Sequence, residues 1–263
     1  MLVGRYEIKA IVAEPETGRV YTALDHQAGG AVTLKTIHPP ANPDELEAFR
    51  RAFQNEAGIL QSLSHPGLPR VLDSFEDEEL LYLVLEPLEG ESLAERLDRH
   101  HGPLPWPEVR PWAHALVDTL AYLHSQDPPV IVRNLNPTSV LLTSSGPKIA
   151  DFGLARVVED GSRTMTSLRG VAAKNYAPLE QYDFTSTTHT YSDIYSLGAT
   201  LYFALSAQEP PTAAARAGQD VPLADLAELN PTVPAAVAEM LEAMLALGKH
   251  RRPDLETIRA AFA

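Results

Sequence analysis

Between residues 5 and 37 the chain alternates apolar and polar positions in three runs, YEIKAIVA, GRVYTALD and AVTLKTI. A period of two with β-branched residues predicts three antiparallel strands. Gly29-Gly30 predicts the hairpin turn between the second and third. Pro39, Pro40 and Pro43 follow, and proline there is expected to bar a helix and leave a loop. From residue 44 to 63 the period changes. Leu46, Phe49, Phe53, Ile59, Leu60 and Leu63 recur at steps of three and four, which predicts an amphipathic helix. PRVLDSFED and LLYLVLE then predict two more strands around an acidic turn.

After Glu86 the pattern is mainly helical, over about 92–100, 107–126, 191–206 and 233–247, with few strands. The expected class is therefore α+β. A lobe of five antiparallel strands and one helix (residues 1–87) precedes a mainly helical lobe (residues 88–263), the two forming one domain. The connector EPLEGE marks the change. The Ala-rich stretch 210–220 reads as a mobile loop, and no internal repeat is visible.

Composition narrows the function classes. A formal net charge of −14 argues against nucleic acid, whose phosphates call for clustered Lys and Arg. With no cysteine, disulfides, thiolate nucleophiles and cysteine–zinc sites are excluded. Nine histidines are scattered without metal-ligand spacing. The start MLVGRYEIKA has no apolar core of a signal peptide, and no apolar run approaches the ~20 residues that span a bilayer. The expectation is a cytoplasmic chain with no membrane insertion of its own.

Several short motifs occur in a fixed order. VTLK ends at Lys35 on the third strand, and Glu56 lies in the helix that follows. LVLEPLEG contains Leu85, Glu86 and Leu88; KIADFGLA contains Asp151, Phe152 and Gly153. YAPLEQY carries Glu180, SDIYSLG carries Asp193, and HRRPD carries Arg252. Together these resemble a protein kinase domain, closest to the bacterial Ser/Thr kinases, over the whole chain. The resemblance implies a phosphate-contacting Lys35 paired with Glu56, a gatekeeper Leu85 and a magnesium-holding Asp151. It implies an apolar column of Leu60, Val71, Val132 and Phe152, and an ion pair of Glu180 with Arg252. Nucleotide contacts would fall to Val20, Thr33, Lys35, Glu86, Leu88, Ser92 and Leu141, with Ser92 within reach of a ribose. Arg133 would either pair with a phosphate on Thr164, Thr166 or Ser167, or hold backbone carbonyls.

The chain departs from the family where chemistry is done. The family's catalytic loop reads H-R-D-L-K-P-x-N; here it is Val132, Arg133, Asn134, Leu135, Asn136, Pro137, Thr138 and Ser139. An Asn134 amide cannot accept the substrate hydroxyl's proton, a step worth about 10²–10⁴-fold. Asn136 lacks the lysine's charge, and Ser139 is too short to reach as the magnesium-holding asparagine does. In the glycine-rich loop only Gly18 and Val20 match; Ala13 and Pro15 replace glycines, and Glu14 and Glu16 bring carboxylates towards a triphosphate. Thr33 stands where the family usually has alanine, and its hydroxyl and methyl narrow the adenine pocket. Ala172 or Ala173 stands where the threonine after the activation segment belongs.

These changes lead to an expectation of a pseudokinase acting as a binding, scaffolding or allosteric module. It would have a protein partner, no resident cofactor, and at most weak binding of ATP and magnesium. Lys35, Glu56 and Asp151 keep two alternatives open. One is a divergent active Ser/Thr kinase; the other is a nucleotide sensor without turnover. The same three residues also fit a purely structural ion-pair network.

Overall fold

The computed structural model describes residues 2–14, 18–39, 42–77, 80–150, 156–157, 173–182 and 188–263. The chain divides into two compact units, Met1–Glu89 and Gly90–Ala263. Together they give the two-lobed kinase fold, with an antiparallel sheet in the first lobe and a helical second lobe.

The first unit is one antiparallel sheet and one helix. Its strands are β1 (Leu2–Val3), β2 (Tyr6–Ala13), β3 (Val20–Asp25), β4 (Gly30–Ile37), β5 (Val71–Asp77) and β6 (Leu80–Leu85). The order across the sheet is β1-β2-β3-β4-β6-β5. The five expected strands are present, and β1 adds a two-residue edge by pairing with the start of β2. In the turn between β3 and β4, Gly29 has φ +74°, and the Asp25 carboxylate accepts the N–H groups of Gln27 and Ala28. One sheet face is core: Tyr6, Ala23, Val32, Leu34 and Val84 form a buried cluster, and Phe75 stacks between Tyr6 and Tyr82. Strand alternation sends Thr33 and Lys35 to the opposite face from Val32 and Leu34.

The helix α1 runs from Pro43 to Ser62. Pro43 thus opens the helix rather than barring it. The first helical position needs no N–H, and proline's fixed φ is already helical, so the sequence rule applied to Pro43 was too strict.

The second unit contains α2 (Leu93–His100), α3 (Trp106–His124), α4 (Thr190–Ser206), α5 (Ala213–Gly218), α6 (Leu226–Leu229), α7 (Ala235–Met244) and α8 (Leu255–Ala261). Short strands β7 (Glu91–Ser92), β9 (Val140–Thr143) and β10 (Gly146–Ile149) form one sheet. Strands β8 (Val130–Ile131) and β11 (Arg156–Val157) form another. Helix α4 is buried along nearly its whole length and is the axis on which α3, α6 and α7 pack. The stretch 210–220, expected as a loop, contains α5. The Thr212 hydroxyl accepts the Ala215 N–H and caps it, a local signal stronger than the alanine-rich composition suggests.

Candidate functional site

In the first unit the nucleotide-contact positions lie on the sheet and the segment after it. Lys35 on β4 is buried and sits opposite Val20 on β3 and Leu83 on β6. Thr33, two residues earlier, sits opposite Leu85, which is also buried. The chain leaves β6 through Glu86, whose N–H donates to the Arg70 carbonyl, and reaches Leu88. There the Leu88 N–H donates to the Thr33 hydroxyl at 3.1 Å. The Thr33 side chain therefore bonds the connecting segment itself. No signal in the sequence announces a contact spanning 55 residues.

Gly18 explains itself sterically. A Cβ there would lie 1.9 Å from the Thr36 carbonyl oxygen. The close approach lets the Thr36 N–H bond the Arg19 carbonyl and the Thr36 hydroxyl accept the Arg19 N–H. Glu14 forms an ion pair with Arg19 at 2.7 Å. Pro15 and Glu16, the Glu56 side chain, Asp151, Phe152 and Gly153 lie outside the described residues. So do Thr164, Thr166, Ser167 and Ala172.

In the second unit the loop 132–139 is closed by hydrogen bonds. Asp193, fully buried on α4, accepts the N–H groups of Val132 and Arg133 at 3.0 and 2.9 Å, and lies 2.9 Å from the His124 ring nitrogen. These bonds to a carboxylate are of the strong, charge-assisted kind. They hold Arg133 at φ +66°, a region that costs a non-glycine residue about 1–3 kcal/mol unless its surroundings fix it. Gln181 also donates to the Arg133 carbonyl. His124 was not singled out in the sequence, because 69 residues separate it from Asp193.

The three substituted positions are bonded within the protein. The Asn136 side-chain oxygen accepts from the Thr138 N–H and hydroxyl and from the Ser139 N–H, and its amide donates to the Asn134 carbonyl. The Ser139 hydroxyl accepts the Asn136 N–H and donates to the Asn136 carbonyl, both at 2.9 Å. The Asn134 side-chain oxygen accepts the Ala173 N–H at 3.3 Å. Asn136 and Ser139 are almost wholly buried.

Ser92 is the N-cap of α2: its hydroxyl accepts the Glu95 N–H, and the Glu95 carboxylate accepts the Ser92 N–H. This capping box was readable as S-x-x-E. Leu141 is half-buried on β9, paired with Lys148 and Ser92. Glu180 and Arg252 form a buried two-pronged pair at 2.5 and 3.1 Å, and Ser192 donates to the same carboxylate. Arg252 also donates to the carbonyls of Tyr191 and Ala246.

Residues 6–261 match the protein kinase domain family, and the chain belongs to it. Among its relatives, the DNA damage-responsive serine/threonine-protein kinase RqkA of Deinococcus radiodurans is 34% identical over 97% of this chain and 38% of its own length. Serine/threonine-protein kinase 36 of Pongo abelii is 33% identical over 75% of this chain and 14% of its own. The chain thus spans well under half the length of these relatives. The PknI kinase domain of Mycobacterium tuberculosis has the same fold, with a TM-score of 0.76, 21% identity and coverage of 100% of this chain and 98% of that one.

Asp151, the position expected to hold the family's magnesium, lies outside the described residues. Magnesium needs several oxygen ligands in near-octahedral array. Ser139 spends its hydroxyl on the Asn136 backbone, and among the described residues no group of three or more acidic or histidine side chains could hold a metal. No helix among the described residues is long and apolar enough to cross a membrane.

Proposed function

We propose that this chain is a pseudokinase domain, which keeps the kinase fold without phosphoryl transfer and acts through protein contacts. One observation carries the reading. The residues standing at the base, lysine and magnesium positions are Asn134, Asn136 and Ser139; Asn136 and Ser139 are bonded within the loop, and the Asn134 side-chain oxygen accepts the Ala173 N–H. Phosphoryl transfer depends on positioned charge: a base for the attacking hydroxyl and cations for the moving phosphoryl group. Neutral side chains that bond their own backbone supply neither. The partner on this reading is a protein, and the chain's acidity argues against nucleic acid.

A second reading, a divergent active Ser/Thr kinase, is favoured by a different observation. The relatives at 33–34% identity are named as serine/threonine kinases, and Lys35 is kept in place on β4. A phosphoryl-transfer assay on the whole chain with ATP and either Mg²⁺ or Mn²⁺ separates the two. Transfer to itself or to a generic protein acceptor that disappears in Lys35→Ala supports the active kinase; its absence from folded protein supports the pseudokinase. On either reading an adenine base would be sought at the Glu86 carbonyl and the Leu88 N–H.

A further inference from the structure

We infer that the Thr33 hydroxyl is an internal competitor for the adenine base, so that residue 33 sets how tightly this domain holds a nucleotide. The inference rests on the assignment of Glu86 and Leu88 as the base-facing groups. A purine edge presents a ring-nitrogen acceptor beside an amino donor, and a backbone N–H two residues after a carbonyl complements it. In this chain that N–H is taken: Leu88 donates to the Thr33 Oγ1 at 3.1 Å.

The energetics follow from burial. Thr33 is 4% exposed, so water cannot readily replace a lost partner. A purine nitrogen accepting from Leu88 exchanges one neutral hydrogen bond for another and gains little. It also leaves the Thr33 oxygen without its donor in a buried place, which costs more than the exchange returns. The β4 register fixes the Thr33 backbone opposite Leu85 and Thr22, so the oxygen can leave Leu88 only by turning about the stiff χ1 of a β-branched side chain. Valine at this position has the same shape and no oxygen. Serine keeps the oxygen and loses the methyl group. The pair therefore separates hydrogen bonding from bulk.

The test uses the full chain and its Thr33→Val, Thr33→Ser and Thr33→Ala variants, with adenosine and ATP as probes. Binding is read by calorimetry and thermal shift, and the Leu88 amide by hydrogen exchange in NMR without ligand. Thr33→Val should speed Leu88 exchange and tighten adenosine binding about two- to ten-fold, the range one neutral hydrogen bond supplies. Thr33→Ala, the smaller side chain, should tighten at least as much, and Thr33→Ser should behave as the parent. Unchanged Leu88 exchange in Thr33→Val would overturn the inference, as would tightening in Thr33→Ala but not Thr33→Val, since size would then be the cause. Failure of every variant to bind adenosine would also overturn it. Phosphoryl transfer by the parent chain would remove the pseudokinase reading and leave this result standing.

Discussion

Ser139 and Asn136 close a ring on each other. The Ser139 hydroxyl accepts the Asn136 N–H and donates to the Asn136 carbonyl, both at 2.9 Å, within a loop whose other end is held by Asp193. A hydroxyl used twice in this way is a structural fastening. Ser139→Ala should leave the buried Asn136 N–H without its acceptor, while the Asn136 carbonyl keeps the residue 139 N–H, and destabilise the protein by about 1–3 kcal/mol. Urea unfolding checks this; a change within error would mean the ring adds nothing.

The Glu180–Arg252 pair should be among the costliest single contacts to break. Both side chains are buried, and the guanidinium also donates to the carbonyls of Tyr191 and Ala246. Arg252→Ala strands a buried carboxylate and should cost about 3–5 kcal/mol. Arg252→Lys should rescue little, because an ammonium cannot reproduce the two-pronged geometry. Thermal unfolding of the two variants decides it.

Gly18 is required by the Thr36 backbone. With only 1.9 Å for a Cβ, Gly18→Ala must push β3 and β4 apart at that point, at a cost of about 1–3 kcal/mol typical of overpacking. Chemical denaturation with nucleotide absent should register the loss. Equal stability of variant and parent would contradict the steric account.

Acid should loosen the starts of α2 and α8. Glu95 is held below the ordinary carboxylate range by the backbone N–H and hydroxyl of Ser92. Asp254, which caps α8, is lowered by the N–H and hydroxyl of Thr257. A depressed carboxylate stabilises the fold above its unfolded value, and that stability is lost as pH falls through the folded value. Stability should therefore drop below the ordinary carboxylate range, and Glu95→Gln should flatten part of that drop while lowering stability at neutral pH. Melting temperatures measured across acidic pH check both effects.

Much of the fold was legible because periods are local. The alternation around Lys35 and the three–four spacing through Leu60 reappear as β4 and α1. Pro43 was misjudged because a loop-breaking residue is also a good helix opener, and α5 because a capping threonine outweighed an unpatterned stretch. The identity of the altered positions, Asn134, Asn136 and Ser139, was plain in the sequence. What their side chains bond instead was partly local: Asn136 reaches only two and three residues on, a turn that asparagine commonly makes. The Thr33–Leu88 and His124–Asp193 contacts join distant segments, and only the folded chain brings them together.

As a pseudokinase, the chain would keep the fold without the reaction. The most direct test is the rate of γ-phosphate release and transfer from radiolabelled ATP by the whole chain, in Mg²⁺ and in Mn²⁺, beside the Lys35→Ala variant. The account predicts the same background rate for both proteins, with no labelled protein formed. Labelled protein from the parent that Lys35→Ala abolishes would contradict it.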